Sequence, residues 1–311
     1  MKEYGFGVDL GGTTCKIGLF RTDGELIEKW EVPTNTADEG KHILPDIAAA
    51  IESKLNEKGI SKDVVQGIGI GVPGAVRPDG VVNRCVNLGW GVLPIESQMN
   101  RLTGLPVKAA NDANIAALGE SWMGGGRDAS SVIMITLGTG VGGGIVIDGH
   151  ILTGFNGAAG EIGHVVLDPQ EPRKCNCGNH GCAELYSSAT GISYIAEQTL
   201  RNSDKASSLR DIEEPTAKDV FDALKAGDEL ASDIVDEVCG YLGRLCSILV
   251  NIVNPEVVLI GGGVSKAGDI IIERLQPAFS KNVFHASAAT KIRLAELGND
   301  AGIYGGVRLI L

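Results

Sequence analysis

VDLGGTTCKIGLF, residues 8–20, places an apolar run on each side of a Gly-Gly-Thr-Thr turn. It reads as strand, turn, strand: a hairpin, and not a strand that feeds a helix. ITLGTGVGGGIVI, residues 135–147, repeats the pattern and forms an internal echo that argues for two lobes. A third glycine cluster, VVLIGGGVSKAGD at residues 257–269, follows a strand and precedes a helix. Glycine lets the backbone turn tightly and approach a ligand, while threonine hydroxyls and exposed amides donate to phosphate oxygens. One nucleotide held between two phosphate hairpins, with a third loop under its base, accounts for all three clusters together.

Two stretches match the dinucleotide pattern G-x-G-x-x-G: Gly138 to Gly143, within the second of these clusters, and Gly69 to Gly74. That fingerprint requires a helix to begin inside the motif. Here GIVIDGHI follows Gly143 as a strand with a turn at Asp148-Gly149, and AVRPDG follows Gly74, after Pro73, as another turn. A Walker A sequence and the protein-kinase catalytic-loop and D-F-G signatures are absent.

The chain has 311 residues and 43% hydrophobic content, enough for two domains. It contains no run of eighteen apolar residues, and MKEYGFGVDL is too acidic for a secretory signal, so a soluble cytoplasmic protein is expected. A net charge of −12 without a basic block disfavours nucleic acid or an anionic membrane as partner. An anionic substrate then needs a metal cation or backbone amides to hold it.

Apolar runs place strands at 4–10, 15–21, 66–72, 107–110, 132–137, 144–147 and 257–260. Helices are expected at 37–58, 95–103, 113–123, 184–201, 228–253 and 269–281. The class is α/β. RNSDKASSLRDIEEP reads as a surface loop, and MGGGRDASS after Met123 is the better domain boundary.

Seven cysteines divide by context. Cys239 and Cys246 recur at helical spacing with Val235, Leu242 and Leu249, as small core residues do. Cys15 and Cys85 stand alone. Cys175, Cys177 and Cys182 crowd into CNCGNHGC; in a reducing cytosol such a set is a metal or redox group more often than a disulfide.

The series DLGGTT (9–14), GVPG (71–74), NLGW (87–90), NDAN (111–114), LGTGVGGG (137–144), GAAGEIGH (157–164), CNCGNHGCAE (175–184) and NPEVVLIGGGVS (254–265) resembles the ROK sugar kinases and repressors. The likeness covers nearly the whole chain and is nearest to the bacterial glucose-phosphorylating members. It implies an actin-like, ribonuclease-H-like pair of α/β lobes: a small lobe at 1–123, joined by a C-terminal helix at 299–311, and a large lobe at 124–298. It also implies ATP-dependent phosphorylation of the glucose 6-hydroxyl, with a kinase for another hexose or N-acetylhexosamine as the alternative. Family members are commonly dimers or tetramers, so a homo-oligomer is expected. The repressors carry an N-terminal helix-turn-helix; the first hairpin here begins almost at residue 1, and on that ground a kinase is expected.

Within this resemblance Asp112 is the general base for the sugar hydroxyl. It opens a predicted helix, where the dipole and nearby amides keep a carboxylate ionised. An ordinary N-cap is the competing reading, and Asn111 is able to take that role instead. Asp9 is expected to hold Mg²⁺, through water, since that ion favours one or two carboxylates plus phosphate oxygens. Gly11, Gly12, Thr13, Thr14, Thr139 and Gly140 are placed around the ATP phosphates, Gly262 and Gly263 beneath the adenosine, and Lys16 is a further phosphate candidate. Asn111, Asp112, Glu161, His164 and Glu184 are implied to bind the sugar, with Gly74 and Asn87 beside them and Trp90 as core or pocket wall.

For the cysteines the resemblance implies a closed Cys₃His zinc site: Cys175, Cys177, Cys182 and His164. Proximity in sequence favours His180 as the fourth ligand; the resemblance favours His164. Such a site has no open position for catalysis, and its second imidazole nitrogen is left to meet a sugar hydroxyl.

Overall fold

A computed structural model describes residues 2–311. The strands are β1 (Tyr4–Leu10), β2 (Thr14–Arg21), β3 (Leu26–Pro33), β4 (Val65–Val72), β5 (Val107–Asn111), β6 (Ser131–Leu137), β7 (Val141–Ile147), β8 (His150–Ile151), β9 (Val257–Gly261) and β10 (Lys291–Leu294). The helices are α1 (Ala37–Gly40), α2 (Ile43–Lys58), α3 (Ile95–Thr103), α4 (Asp112–Met123), α5 (Glu184–Ser187), α6 (Ala189–Asn202), α7 (Ala217–Lys225), α8 (Glu229–Val253), α9 (Ile270–Asn282) and α10 (Ala301–Leu309).

Two compact units result. The first comprises Met1–Ser131, Gly144–Gly160 and Leu297–Leu311; the second comprises Val132–Gly143 and Glu161–Glu296. The first unit therefore takes residues 124–131 and 144–160, which the sequence reading assigned to the large lobe. The reason is local: the Gly144 backbone lies against α4, close enough that a Cβ there would come within 2.6 Å of the Ala117 methyl.

The sheet of the first unit has the order β3-β2-β1-β4-β5. β1 and β2 pair antiparallel with Val8 opposite Ile17, so residues 8–20 form the hairpin read from the sequence. β4 pairs parallel to β1, and β5 parallel to β4. Phe6, Val8, Ile17, Leu19, Ile68 and Ile70 are fully buried and pack with Ile47 and Ile51 of α2. Each such side chain contributes roughly 1.5–3 kcal/mol relative to exposure. α10 packs on α4, β1 and β4.

In the second sheet the order is β10-β9-β6-β7-β8, with β9 parallel to both β6 and β10. The 25-residue α8 packs on α7 and α9 and buries Val235, Cys239, Leu242 and Cys246, the helical core set read from the sequence.

Departures from the sequence reading have local causes. The helix expected from residue 37 begins at Ile43, because Asp38 and Glu39 take left-handed conformations (φ 50° and 59°). The helix expected across 184–201 breaks at Ser188, which is extended and caps α6 by accepting from the Gly191 N–H at 2.9 Å. β3 and β10 are edge strands whose residues alternate or stay half-exposed, so neither shows a continuous apolar run. Neither G-x-G-x-x-G match opens a helix: Gly69–Val72 ends β4, and Gly143 lies inside β7.

Candidate functional site

In the first unit Asp9 is the penultimate residue of β1, and the turn that follows the strand is closed by the Gly11 N–H donating to Thr14 O at 3.0 Å. Beside it, Thr34 donates its hydroxyl to Gly11 O at 2.8 Å and its N–H to Thr13 O at 2.9 Å. Burial first, and then the neighbouring charge of Asp112, push the Asp9 carboxyl up to about 6, with Lys16 opposing. Two carboxylates so placed carry negative charge that a divalent cation would offset, which fits the oxygen donors Mg²⁺ prefers. Lys16 itself donates to Asn299 O at 2.7 Å and pairs with Asp300 at 3.0 Å. Two of its three N–H donors are thus engaged by the C-terminal segment.

Asp112 is the first residue of α4. Asn111 is the cap: its Oδ1 accepts from the N–H groups of Ala113 (3.0 Å) and Asn114 (3.3 Å). Asp112 Oδ1 accepts from the Ala113 N–H at 2.7 Å, so the carboxylate sits on the positive end of a twelve-residue helix. Asn111 Nδ2 donates to Gly74 O at 3.4 Å, which brings two of the sugar candidates together. Asn87 is exposed on the single turn Val86–Leu88, and Trp90 is buried in the core with its indole N–H donating to Gly40 O at 3.3 Å.

The second unit carries the other turn, Gly138 to Gly140, closed by the Gly138 N–H donating to Gly140 O at 3.0 Å. Three groups from the start of α5 and α6 reach it. Glu184 Oε2 accepts from the Val141 N–H at 3.1 Å, the Ala189 N–H donates to Gly138 O at 2.8 Å, and the Thr190 hydroxyl donates to Thr139 O at 3.0 Å. A Cβ at Gly140 would collide with Glu184 Oε2, so a side chain there would oblige that carboxylate to move aside.

Beside this turn lies a cavity of about 560 Å³ lined by Gly138, Thr139, Phe221, Gly263, Val264 and Ala267 among others. α7 supplies much of its wall, and the sequence reading missed that helix. A signal was available: Thr216 and Asp219 form a capping box just before Val220 and Phe221. Gly262 precedes the lining residues in a left-handed conformation (φ 86°).

His164 ends the turn Ile162–His164. One ligand atom from each of His164, Cys175, Cys177 and Cys182 lies within 4.8 Å of all the others. His164 Nδ1 is 3.7 Å from Cys175 Sγ, and the sulfurs of Cys177 and Cys182 are 3.6 Å apart. Zn–S bonds of about 2.3 Å at tetrahedral angles require S···S separations of roughly 3.8 Å, so the donor set fits zinc. Burial pushes the Cys182 thiol up to about 12 and that of Cys175 upward, a cost of ionisation that a bound cation would remove. His180 is exposed, bridges to Lys174 and is not in the cluster. The other imidazole nitrogen, Nε2, lies 4.0 Å from Glu161 Oε2, and Cys175 Sγ lies 3.6 Å from Glu184 Oε1. Glu161, His164 and Glu184 therefore share one neighbourhood, organised around the cysteine loop.

The ROK family model matches residues 5–311. The chain belongs to the ROK family. Among ROK relatives, a glucokinase of Halalkalibacterium halodurans is 45% identical over 98% of this chain and 94% of its own length. A ROK hexokinase from Thermus thermophilus superposes with a TM-score of 0.83 at 31% identity, covering 99% of this chain and 97% of that one. A ROK glucokinase from Streptomyces griseus, solved in complex with glucose and AMPPNP, superposes at 0.77 with 31% identity, covering 98% of each chain. The fold of this ROK chain is accordingly the actin-like, ribonuclease-H-like α/β class expected from the sequence. Among the described residues no helix is long and apolar enough to cross a membrane.

Proposed function

We propose that this ROK chain is a glucokinase that transfers the terminal phosphoryl group of ATP to the 6-hydroxyl of glucose. The observation that carries the reading is 45% identity with a glucokinase across 98% of the chain. The first unit supports it with a carboxylate, Asp112, on a helix N-terminus beside a second carboxylate, Asp9.

Phosphoryl transfer leaves little covalent work to the protein; positioning and charge compensation dominate. In this reading Asp112 accepts the proton of the 6-hydroxyl as that oxygen attacks phosphorus and the bond to the departing ADP oxygen breaks. Asn111, Glu161, His164 and Glu184, with Gly74 and Asn87, hold the sugar by fixed donors and acceptors, since a wrong isomer leaves buried polar groups unpaired. Gly12, Thr13, Thr14, Thr139 and Gly140 donate to the phosphates, Gly11 lies beside them with its N–H spent on closing the turn, and the α7 cavity with Gly262 and Gly263 takes the nucleoside. Asp9 holds Mg²⁺, which when bound neutralises phosphate charge. His164, Cys175, Cys177 and Cys182 hold a structural zinc ion that orients the imidazole.

The test is ADP release, coupled to a reporter, across glucose, fructose, mannose, N-acetylglucosamine and N-acetylmannosamine. Glucose should give the highest kcat/KM, and Asp112→Asn should lower turnover by at least about 10³-fold with glucose affinity retained. Preference for an N-acetylhexosamine, or near-normal turnover in Asp112→Asn, would overturn the substrate or the base respectively.

A further inference from the structure

The two glycine turns share a feature that neither their sequence nor the proposed reaction assigns. In each, a threonine from outside the turn donates its hydroxyl to a carbonyl of the turn: Thr34 to Gly11 O at 2.8 Å, and Thr190 to Thr139 O at 3.0 Å. Each is backed by backbone bonds. The Thr34 N–H donates to Thr13 O at 2.9 Å, and the Ala189 N–H donates to Gly138 O at 2.8 Å.

A planar trans peptide unit points its C=O and the following N–H in opposite directions. Fixing a carbonyl therefore fixes the next amide. With Gly11 O held by Thr34, the Gly12 N–H is directed away from Thr34. With Gly138 O held by Ala189 and Thr139 O by Thr190, the amides of Thr139 and Gly140 are directed away from α6. Turns rich in glycine have many accessible conformations, so peptide planes left untied would rotate and their amides would spend time turned inward.

We infer that Thr34 and Thr190 are positioning residues that hold the amides of the two turns toward the nucleotide phosphates. The inference rests on the kinase reading for the identity of the anion, a nucleotide polyphosphate. It assigns neither threonine a contact with that ligand. Preorganised amides need no reorganisation when charge arrives, which is where such donors gain their value.

The test removes each hydroxyl while keeping its shape. Thr34→Val and Thr190→Val are titrated calorimetrically with magnesium-AMPPNP in the absence of sugar, alongside Thr34→Ser and Thr190→Ser. Loss of one orienting hydrogen bond should raise the Kd for AMPPNP about fivefold in each Val variant. Serine should restore it to within about twofold of wild type, and the Kd for glucose alone should stay within about twofold throughout. A merely structural role would weaken both ligands together and would not follow the hydroxyl. Unchanged AMPPNP affinity in both Val variants, serine variants as weak as the valine ones, or parallel loss of glucose affinity would each overturn the inference. A wild-type protein that binds AMPPNP but phosphorylates no sugar would sink the glucokinase reading and leave this one standing; one that binds no AMPPNP would sink both.

Discussion

Gly302 lies directly against the Asp9 carboxyl: a Cβ at position 302 would come within 2.6 Å of Asp9 Cγ and 2.7 Å of its Oδ2. The first turn of α10, nearly three hundred residues away in sequence, thus sets where the β1 carboxylate can stand. Gly302→Ala should push Asp9 out of place. We expect kcat to fall at least about tenfold, with a stability loss of about 1–3 kcal/mol from overpacking. Steady-state kinetics and urea unfolding measure the two; an alanine variant with wild-type kcat would show that Asp9 has room to spare.

Asp9 also predicts how stability varies with pH in the metal- and nucleotide-free protein. Its carboxyl is raised from 3.8 to about 6, so the folded protein binds more protons than the unfolded chain between those values. Folding carries no cost from this group below its unfolded value; the cost grows as pH rises through the window and is complete above about pH 6. Asp9→Asn should therefore be more stable than wild type at pH 8 by about 1–3 kcal/mol in EDTA, converge with it below about pH 4, and lose phosphoryl transfer. Denaturant titrations at the two pH values decide it, and an asparagine variant that is less stable at pH 8 contradicts the account.

Removing a zinc ligand should affect the sugar. Cys177 is an exposed member of the Cys₃His cluster, and two sugar candidates, His164 and Glu184, each lie within 3.7 Å of Cys175. Structural zinc contributes on the order of 10 kcal/mol to local folding. Cys177→Ala should purify with less than one zinc per chain and bind glucose at least about tenfold more weakly. Metal analysis by mass spectrometry and glucose calorimetry would expose the loop as a bystander if the zinc-free variant kept its affinity.

Gly140→Ala is expected to cost both substrates at once. Its Cβ would displace Glu184 Oε2 from the Val141 N–H, disturbing a sugar candidate and the phosphate turn through one contact. The KM values for glucose and for ATP should both rise at least about fivefold, with the second unit still folded. A rise in one alone would show that Glu184 does not link the turn to the sugar residues.

Several parts of this protein are legible in its sequence because their signals are local. The buried strands β1, β4, β6 and β9 are short apolar runs, and Gly-Gly-Thr-Thr between two such runs leaves the chain little choice but a hairpin. The edge strands β3 and β10 were missed because one side of each faces solvent and needs no apolar residues. The start of α2 was misjudged because left-handed Asp38 and Glu39 are held by packing of distant segments: the Gly89 backbone lies close enough that a Cβ on it would be 3.1 Å from Glu39 Cα.

By itself the sequence determined the α/β class, the two phosphate-type turns, the helix start that carries Asp112 and the three clustered cysteines, since each depends on neighbours a few positions apart. Only the tertiary structure decided that His164 and not His180 joins those cysteines, that Lys16 turns to Asp300, that Glu184 braces the Val141 amide, and that Thr34 and Thr190 grip the turns. Those contacts join residues 11 to 284 positions apart at the extremes, and hydrogen-bond direction at such range is fixed by how packed elements meet, which no local spacing encodes.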